Sequence, residues 1–558
     1  MDFKKTILWA VFSMSGLLLY NNWQVHEGKP SMFGGNPAGS AAVSDKAPAN
    51  KIDVPTPIQS PSASTPNQAP AVMAGAVETA EKFVLQNDVL ILEISANGAN
   101  VITAKLPKQL TAEQKPIELF QYAPNHKYFA RSGLIALGNA GLPNHTSTFK
   151  LVQSGKDGSG KPFVVLASER NGVKLEKTFV LSPGSYVVDV GHRVTQSNAN
   201  SAPLVLYTEI VRDASQEAKI GPFDGAFSAS TFTGPAAYTE KEKFNKLEFT
   251  AIDKNKITIP TLVPAGDPAW IAMVQHYFAS AWIPSDKAAR DIYAGKIDNN
   301  LYRIGMQTPL GVVAPGATVV EKAKLFVGPQ EESVLETIAP GFALLKDYGY
   351  LTILAKPIFW LLENIHAYVG NWGWSIILLT ILIKLVFFPL SAASYKSMAR
   401  MKEVQPRLLA MREQYKGEPQ KLNQAMMEMY RKEKINPLGG CLPVVIQIPV
   451  FISLYWVLLS SVEMRNAPWI GWIHDLSVPD PYYILPIIMA ASMFVQTKLN
   501  PTPPDPVQAK IMMYMPLVFS VMFFFFPAGL VLYWVVNNLL SIAQQWQINQ
   551  MFGKKLAK

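Results

Sequence analysis

One apolar stretch carries a positive charge near its middle, and this feature limits the possible folds more than any other. The stretch runs from Trp374 to Pro389 and consists mainly of Ile, Leu, Val and Phe, with Lys384 inside it. It is typical of a membrane-spanning helix, where a lysine costs about 2.5–3.5 kcal/mol on insertion scales. Thr380 lies four residues earlier, on the same helical face. We expect both residues to line a water-filled cavity or functional path. The alternative is a Lys384 side chain that reaches the membrane interface.

The composition indicates a membrane protein with several domains. The chain has 558 residues, of which 49% are hydrophobic and 16% are charged, and its net charge is +9. This is too long for one domain and too apolar for a typical soluble protein. A single cysteine, Cys441, excludes a disulfide within the chain and a cysteine-based metal site. The histidines show no HExxH-type spacing, so we expect neither a metal nor a cofactor.

The N-terminal region is predicted to be an anchor followed by a tether. Residues 1–25 contain Lys4 and Lys5, then a mostly apolar run without a small-residue cleavage site. This pattern indicates an uncleaved transmembrane anchor rather than a removed signal peptide, with its lysines in the cytoplasm. Residues 26–80 are rich in Pro, Ala, Ser and Gly. They cannot bury enough apolar surface to fold, so we expect a disordered linker.

Residues 81–330 contain short strand-like runs separated by turn signals. The clearest runs are Val89–Ile94, Pro162–Leu166, Val173–Val180, Tyr186–Val190 and Leu204–Val211. The last two alternate between apolar and polar residues, as in strands with one buried face. Hairpin-type turns occur at Asn97-Gly98, Asp157-Gly158 and Asn171-Gly172. Many short strands without a clear amphipathic helix predict an antiparallel all-β sandwich.

An aromatic-rich patch lies within this predicted sandwich. It contains Trp270, His276, Tyr277, Phe278 and Trp282. A ligand site is one interpretation and core packing is the other, which is favoured because aromatic side chains dominate protein cores. No nucleophile–base pair or paired-carboxylate motif supports catalysis, so we do not expect an enzyme.

Two amphipathic regions flank the span around Lys384. Residues 341–371 are predicted to form a helix in the membrane interface that Pro357 kinks or breaks, with a soluble amphipathic helix as the alternative. Residues 395–436 hold ten Lys and Arg against five Glu, which indicates a cytoplasmic loop. The break at Lys416–Pro419 predicts a helical hairpin. Its methionines fit either a binding surface or the hairpin's own seam.

Residues 372–549 are predicted to form a five-helix core. After the span around Lys384, further spans cover Leu442–Ser461, Tyr482–Thr497, Ile511–Phe526 and Gly529–Ile548. With the anchor there are six transmembrane helices, so both termini lie in the cytoplasm, the sandwich lies outside, and residues 550–558 form a short basic tail. Polar residues within these spans, among them Gln447, Asn537 and Asn538, indicate a wet interior groove. Hydrogen bonds between helices without a cavity are the alternative.

Three motifs resemble signature stretches of the YidC family, the bacterial membrane protein insertases. They are Asn436–Pro443, Asp480–Pro486 and Phe526–Tyr533. The layout is also similar: anchor, linker, large β-domain, interfacial helix, five-helix core and cytoplasmic hairpin. Within the β-domain, Trp270–Pro284 resembles the family most.

The resemblance implies a Gram-negative inner-membrane protein whose core encloses a hydrophilic groove. The family inserts and folds membrane proteins, alone or with the Sec translocon. Its hairpin and basic tail contact nascent membrane proteins, the ribosome or targeting factors, and no DNA partner is implied. Its periplasmic domain is similar to a sugar-binding supersandwich and is largely dispensable for insertion. The family usually has arginine at the position of Lys384; lysine keeps the charge but loses the planar fork of donors.

We therefore predict five substrate-binding residues and no catalytic ones. Lys384 attracts acidic groups of the client, Thr380 and Gln447 keep the groove hydrated, and the apolar segment of the client leaves past Tyr533 and Trp534. No GxxxxGK[ST] nucleotide site is present. The main alternative is a secondary transporter that uses Lys384 as a substrate counter-charge, although such proteins tend to show repeated halves. A second alternative is a membrane-tethered sugar enzyme.

Overall fold

The structure, a computed structural model, describes residues 55, 57, 80–111, 113–136, 141–198, 202–215, 232–256, 262–415, 417–433, 442–499, 510, 513–514 and 520–556. The predicted anchor, nearly all of the predicted linker, and residues 511, 512 and 515–519 of the predicted span 511–526 lie outside these residues. The chain divides into two compact units, which are described separately. Among the described residues, one unit contains those from 55 to 215 and from 232 to 346, and the other contains those from 347 to 556.

The first unit is built from eighteen described strands. Their bounds are β1 Lys82–Gln86, β2 Ile91–Ser95, β3 Asn100–Leu110, β4 Pro116–Ala123, β5 His126–Ala136, β6 Lys150–Lys156, β7 Pro162–Arg170, β8 Val173–Leu181, β9 Val187–Gln196, β10 Leu204–Asp213, β11 Gly234–Thr239, β12 Lys243–Lys246, β13 Leu262–Val263, β14 Ala269–Val274, β15 Phe278–Pro284, β16 Arg290–Asp298, β17 Leu301–Gly311 and β18 Thr318–Pro329. Two short helices belong to the same unit: α1 Phe249–Asp253 and α2 Glu332–Ile338.

The strands form two nine-stranded antiparallel sheets. One has the order β1-β2-β3-β4-β5-β10-β17-β16-β13, and the other has the order β12-β11-β14-β15-β18-β9-β8-β7-β6. Hydrogen bonds join the facing sheets: the Tyr128 hydroxyl on β5 lies 2.7 Å from the Ser280 hydroxyl on β15. The predicted all-β sandwich is therefore confirmed.

Strand β9 shows the alternation that the sequence predicts, because buried positions alternate with more exposed ones along it. Strand β8 has the same burial pattern. The same expectation is wrong for β10, which is buried on both faces. β10 lies between β5 and β17 in the middle of its sheet. On the face turned away from the other sheet, Glu209 accepts from Arg131 Nε at 2.6 Å and from the Tyr293 hydroxyl at 2.7 Å. These side chains cover the face that the alternation predicted to be in water.

The aromatic patch belongs to the core of the sandwich. Trp270, Tyr277, Phe278 and Trp282 are all buried. The Trp270 ring stacks on Tyr238 at 5.4 Å, and its indole N–H donates to the Pro340 carbonyl at 3.0 Å. The Trp282 indole donates to the Glu209 carbonyl on the facing sheet at 3.0 Å. For these residues the core-packing interpretation is confirmed.

The second unit consists of helices. Their bounds are α3 Thr352–Val369, α4 Trp372–Val386, α5 Phe388–Gln414, α6 Pro419–Lys432, α7 Leu442–Ser460, α8 Ile484–Leu499 and α9 Ala528–Leu556, with 3-10 turns at Gly349–Leu351, Val462–Met464 and Phe523–Phe525. Among the described residues, length and composition single out no individual helix as a membrane span. One pair of consecutive helices is long and apolar enough to cross a membrane when taken together. It consists of Trp372–Val386 and Phe388–Met398, which meet at a bend of 67°.

The helix predicted over residues 341–371 is shorter in the structure. Phe342–Leu345 is a 3-10 turn in the sandwich unit, where the Phe342 and Trp270 rings lie 5.0 Å apart. The α-helix begins only at Thr352, and it continues through Pro357 without a break. Proline removes one backbone hydrogen bond, and the buried Ala355, Phe359 and Leu362 pack on the core of the helical unit. This packing holds the helix together across the proline.

The predicted hairpin contains the expected break. α5 ends at Gln414 and α6 begins at Pro419. Val404 and Leu408 are buried between them against Met401, Met426, Met429 and Tyr430. These three methionines form the seam of the hairpin, whereas Met427 is 65% exposed. The seam interpretation therefore holds for these three methionines, and a binding surface at the exposed Met427 stays a prediction.

Candidate functional site

Helix α4 has an outer apolar face and an inner face that carries its polar residues. The outer face exposes large side chains at steps of three or four: Trp374, Leu378, Leu382 and Leu385. Ser375, Thr380 and Lys384 are buried. The Asn371 side chain caps the helix by accepting from the Trp374 N–H at 3.1 Å, and it donates to the Pro468 carbonyl at 3.1 Å. This cap anchors α4 and sets the direction of its inner face.

Lys384 points into the helical unit. Its side chain is 7% exposed, and its ammonium group donates to the Ser541 hydroxyl on α9 at 2.7 Å. No carboxylate contacts it in the part of the chain that the structure describes. Lys384 occupies the last turn of α4, where the unpaired carbonyls of a helix end favour a positive charge. The geometry favours the interior position over a lysine that reaches the membrane interface.

Polar side chains follow α9 at every fourth residue. Tyr533, Asn537, Ser541 and Gln545 share one face of the helix, and all four are buried. Ser541 donates to the Asn537 carbonyl at 2.7 Å, and Gln545 donates to the Leu499 carbonyl at 3.3 Å. One residue further round the helix, Asn538 donates to Ser492 on α8 at 3.2 Å. α9 thus supplies the polar contacts of the interior to several neighbouring helices.

A continuous polar path connects Lys384 with Tyr533. It passes from Lys384 to Ser541 and on to Asn537. The Asn537 side-chain oxygen accepts from the Gln447 amide on α7. The Gln447 amide also bonds the Tyr533 hydroxyl. The path therefore joins three of the five residues that the sequence singles out, and it crosses from α4 through α9 to α7.

A small cavity lies beside this path. Its water-accessible volume is about 20 Å³, which is room for one or two water molecules. It is lined by Ile383, Lys384, Phe387, Leu390, Ser391, Gln447 and Val450. Lys384 and Gln447, which are 63 positions apart by their numbers in the chain, meet at this cavity. Hydrogen bonds between helices and a small cavity therefore occur together among the described residues, while the wet groove stays a prediction.

The other two predicted residues are placed differently. Thr380 is buried, and its hydroxyl donates to the Ile376 carbonyl of its own helix at 2.6 Å. Trp534 packs its ring 4.7 Å from Phe451 and 5.6 Å from Phe523. Its indole N–H is buried and has no partner among the described residues. Neither residue belongs to the path from Lys384 to Tyr533.

The sequence reasoning missed two members of this arrangement, Ser541 and Tyr395. The Tyr395 side chain on α5 hydrogen-bonds Ser541, so this serine contacts residues from two other helices. A signal for Ser541 was present, because it lies four residues after Asn537 in the same stripe. Tyr395 gave no such signal, because its partner is 146 positions away in the chain.

The first turn of α9 is fixed by the loop between α7 and α8. Ala528 N–H donates to the Val478 carbonyl at 2.8 Å, and Gly529 N–H donates to the Leu476 carbonyl at 3.0 Å. Two residues on, the buried Asp480 accepts from the Trp472 indole at 3.0 Å and from the Leu485 N–H at 2.8 Å. These contacts bring together the regions of two sequence motifs, and they set the position of the polar stripe on α9.

Comparisons with known proteins agree with this division of the chain. The family described as "YidC periplasmic domain" matches residues 82–361, and the family described as "60Kd inner membrane protein" matches residues 364–555. The first match covers the strands of the sandwich unit, and the second covers the helices that carry the polar path.

Two curated relatives match over the full length of the chain. The "Membrane protein insertase YidC" of Polynucleobacter necessarius subsp. necessarius is 85% identical, with 100% of both chains covered. That of Cupriavidus necator is 58% identical, with 99% of this chain and 98% of the relative covered. Among solved structures, an active YidC insertase with its first transmembrane domain resolved matches with a TM-score of 0.38 and 17% identity, over 84% of this chain and 94% of that chain.

Proposed function

The chain belongs to the YidC family of membrane protein insertases, and from this premise we propose that it inserts new membrane proteins into the inner membrane. The observation that carries the proposal is the position of Lys384. It is a buried cation beside a small cavity that Gln447 also lines, bonded to a neutral hydroxyl and to no carboxylate among the described residues. A client with an acidic group supplies the counter-charge that this lysine lacks.

The proposed mechanism uses the polar interior to shorten the apolar barrier. A polar, acidic tail of the client enters the hydrated groove, where Lys384 attracts it and Thr380 and Gln447 keep water in place. The apolar segment then passes into lipid near Tyr533 and Trp534. Burial of its apolar surface drives this step. The membrane potential adds about 2.3 kcal/mol per acidic charge per 100 mV.

The proposed topology follows the family, which is an inner-membrane protein family with a periplasmic domain. We propose six transmembrane helices, both termini in the cytoplasm, and a periplasmic sandwich. The hairpin formed by α5 and α6 then lies in the cytoplasm, where its basic surface contacts the ribosome or targeting factors. The Sec translocon is the proposed partner in the membrane when the protein does not act alone.

A secondary transporter is not favoured. The curated relatives that match the full chain are named insertases, and the sequence shows no repeated halves of the kind common in transporters. The insertase proposal therefore stands alone as the function to be tested.

The decisive experiment compares Lys384→Ala with Lys384→Arg in insertase-depleted cells. Insertion of a small client with an acidic tail is measured by protease accessibility. We expect the alanine variant to insert it at least about tenfold less efficiently, since a lost charge-assisted interaction is worth about 1.4 kcal/mol or more. Lys498→Ala is the matched control, because Lys498 also occupies the last turn of an apolar helix but is exposed and lies over the Phe494 ring at 5.4 Å. Unchanged insertion in the Lys384→Ala variant contradicts the role of this charge.

A further inference from the structure

Ser541 contacts the charged end of Lys384, and the single proton of its hydroxyl is already donated within its own helix. Its O–H donates to the Asn537 carbonyl one turn earlier at 2.7 Å. A hydroxyl oxygen has two further positions that accept hydrogen bonds. Lys384 occupies one of them at 2.7 Å, and the Tyr395 side chain on α5 also contacts this serine. The orientation of this serine is therefore set by its own helix, and its oxygen faces α4 and α5.

We propose that Ser541 is a positioning residue for Lys384, which holds the ammonium group at the cavity without neutralising it. The inference rests on the proposed insertase function and names the part of the site that keeps the charge available. An acidic group of the client replaces the Ser541 hydroxyl as the partner of Lys384. When the client leaves, Lys384 again donates its hydrogen bond to the Ser541 hydroxyl.

The chemistry of a hydroxyl suits this task better than that of a carboxylate. A buried amine with no acceptor pays a large desolvation penalty, so the empty site requires a partner. A carboxylate at the same place forms a strong ion pair in the low-dielectric interior. A client then has to break that pair before it can bind. A neutral oxygen satisfies one N–H of Lys384 and leaves the net positive charge in place.

The position of the cavity agrees with such an exchange. Lys384 lines the cavity together with Gln447, whereas Ser541 approaches the ammonium group from α9. A carboxylate that enters through the cavity therefore reaches Lys384 from a different direction than the serine does. The lysine can change partners by a rotation of its side chain, and no helix has to move.

The test measures the ratio of insertion of an acidic-tailed client to insertion of the same client with a neutral tail. The full chain carries Ser541→Thr, Ser541→Ala, Ser541→Asn or Ser541→Asp. Threonine keeps the hydroxyl, so we expect the ratio to stay within about twofold of wild type. Alanine removes the partner of Lys384 and lowers the ratio about threefold to tenfold. Aspartate supplies a permanent counter-charge and lowers the ratio most, by about tenfold or more.

Asparagine separates charge from size, because it has the shape of aspartate without its charge. The proposal requires a larger loss for Ser541→Asp than for Ser541→Asn. Ser453→Ala is the matched control: Ser453 is a fully buried serine on α7 whose hydroxyl donates to the Pro449 carbonyl at 2.8 Å. We expect its ratio to equal that of wild type.

A double variant distinguishes this inference from the proposed function. In the Lys384→Ala background, Ser541→Ala should not change the ratio any further, because the serine acts through the lysine. If Lys384→Ala lowers the ratio but Ser541→Asp and Ser541→Asn behave alike, the positioning role is wrong and the charge role stands. If Lys384→Ala itself leaves the ratio unchanged, the proposed role of the Lys384 charge is wrong, and the positioning role of Ser541 is wrong with it.

Discussion

Each unit of the protein buries a lysine that has no carboxylate partner among the described residues, and these two lysines, Lys177 and Lys384, are held differently. Lys177 on β8 is fully buried between the sheets, where it donates to the carbonyls of Gly98 at 2.6 Å and Ser132 at 2.8 Å. Its ammonium group also lies 4.8 Å from the centre of the Phe149 ring. Lys384 on α4 donates to one side-chain hydroxyl, that of Ser541, and borders a cavity.

The difference indicates why we assign a structural role to one of these lysines and propose a functional role for the other. The partners of Lys177 are backbone carbonyls of the facing sheet, which cannot leave without breaking the sandwich. Lys384 has a side-chain partner that can be exchanged for an incoming group. A buried charge therefore indicates a binding site when its partner is replaceable and space is available beside it, and burial alone does not distinguish the two cases.

The largest expected effect is on the stability of the sandwich unit. Lys177→Ala leaves a cavity and removes the donor to two buried carbonyls, so we expect a loss of about 3–5 kcal/mol in the free energy of unfolding. Pulse proteolysis of the detergent-solubilised full chain in urea measures it. Lys174→Ala is the control on the same strand, because Lys174 is 41% exposed and pairs with Glu176; it should cost less than about 0.5 kcal/mol. Equal losses in the two variants contradict the structural role of Lys177.

A pH profile sharpens the comparison. Burial lowers the pKa of Lys177 from 10.5 to about 7 in the folded chain. Between these values the unfolded chain binds more protons, so stability must rise as pH increases. From pH 7 to pH 9 the gain is roughly 2 kcal/mol. The free energy of unfolding is measured in urea at each pH. Methionine at position 177 cannot titrate, so the Lys177→Met variant should lack that gain. A wild-type stability that falls between pH 7 and pH 9 contradicts the lowered pKa of Lys177.

The smallest effect comes from the same conservative change at both sites. Arginine at Lys177 adds volume between packed sheets and should cost about 1–3 kcal/mol of stability. Arginine at Lys384 has the cavity beside it and keeps the positive charge, so insertion of the acidic-tailed client should stay within about twofold of wild type. The two assays are pulse proteolysis and client protease accessibility. Similar tolerance at both positions would remove the distinction between a packed lysine and a lysine beside a cavity.

Much of the architecture followed from local patterns. The turn dipeptide Asn171-Gly172 between the strand-like runs Pro162–Leu166 and Val173–Val180 predicts a hairpin, and β7 and β8 are joined there. The break of the hairpin at Pro419 and the resemblance to the family were also predicted from the sequence alone. β10 was harder to predict, because both of its faces are covered by residues distant in the chain, among them Arg131 and Tyr293. The helix through Pro357 also depended on packing that no local pattern reveals.

For the site, the sequence by itself determined that Lys384 is a charge within an apolar helix, since hydropathy and spacing are properties of neighbouring residues. The spacing of Tyr533, Asn537 and Ser541 was likewise present in the chain. Only the tertiary structure decided which of these groups meet. It brought Ser541 to Lys384, Gln447 to Asn537 and Tyr395 to Ser541. The physical reason is that the partner of a buried polar group is selected by the packing of whole helices, and separations of 90 or more residues carry no periodic signal.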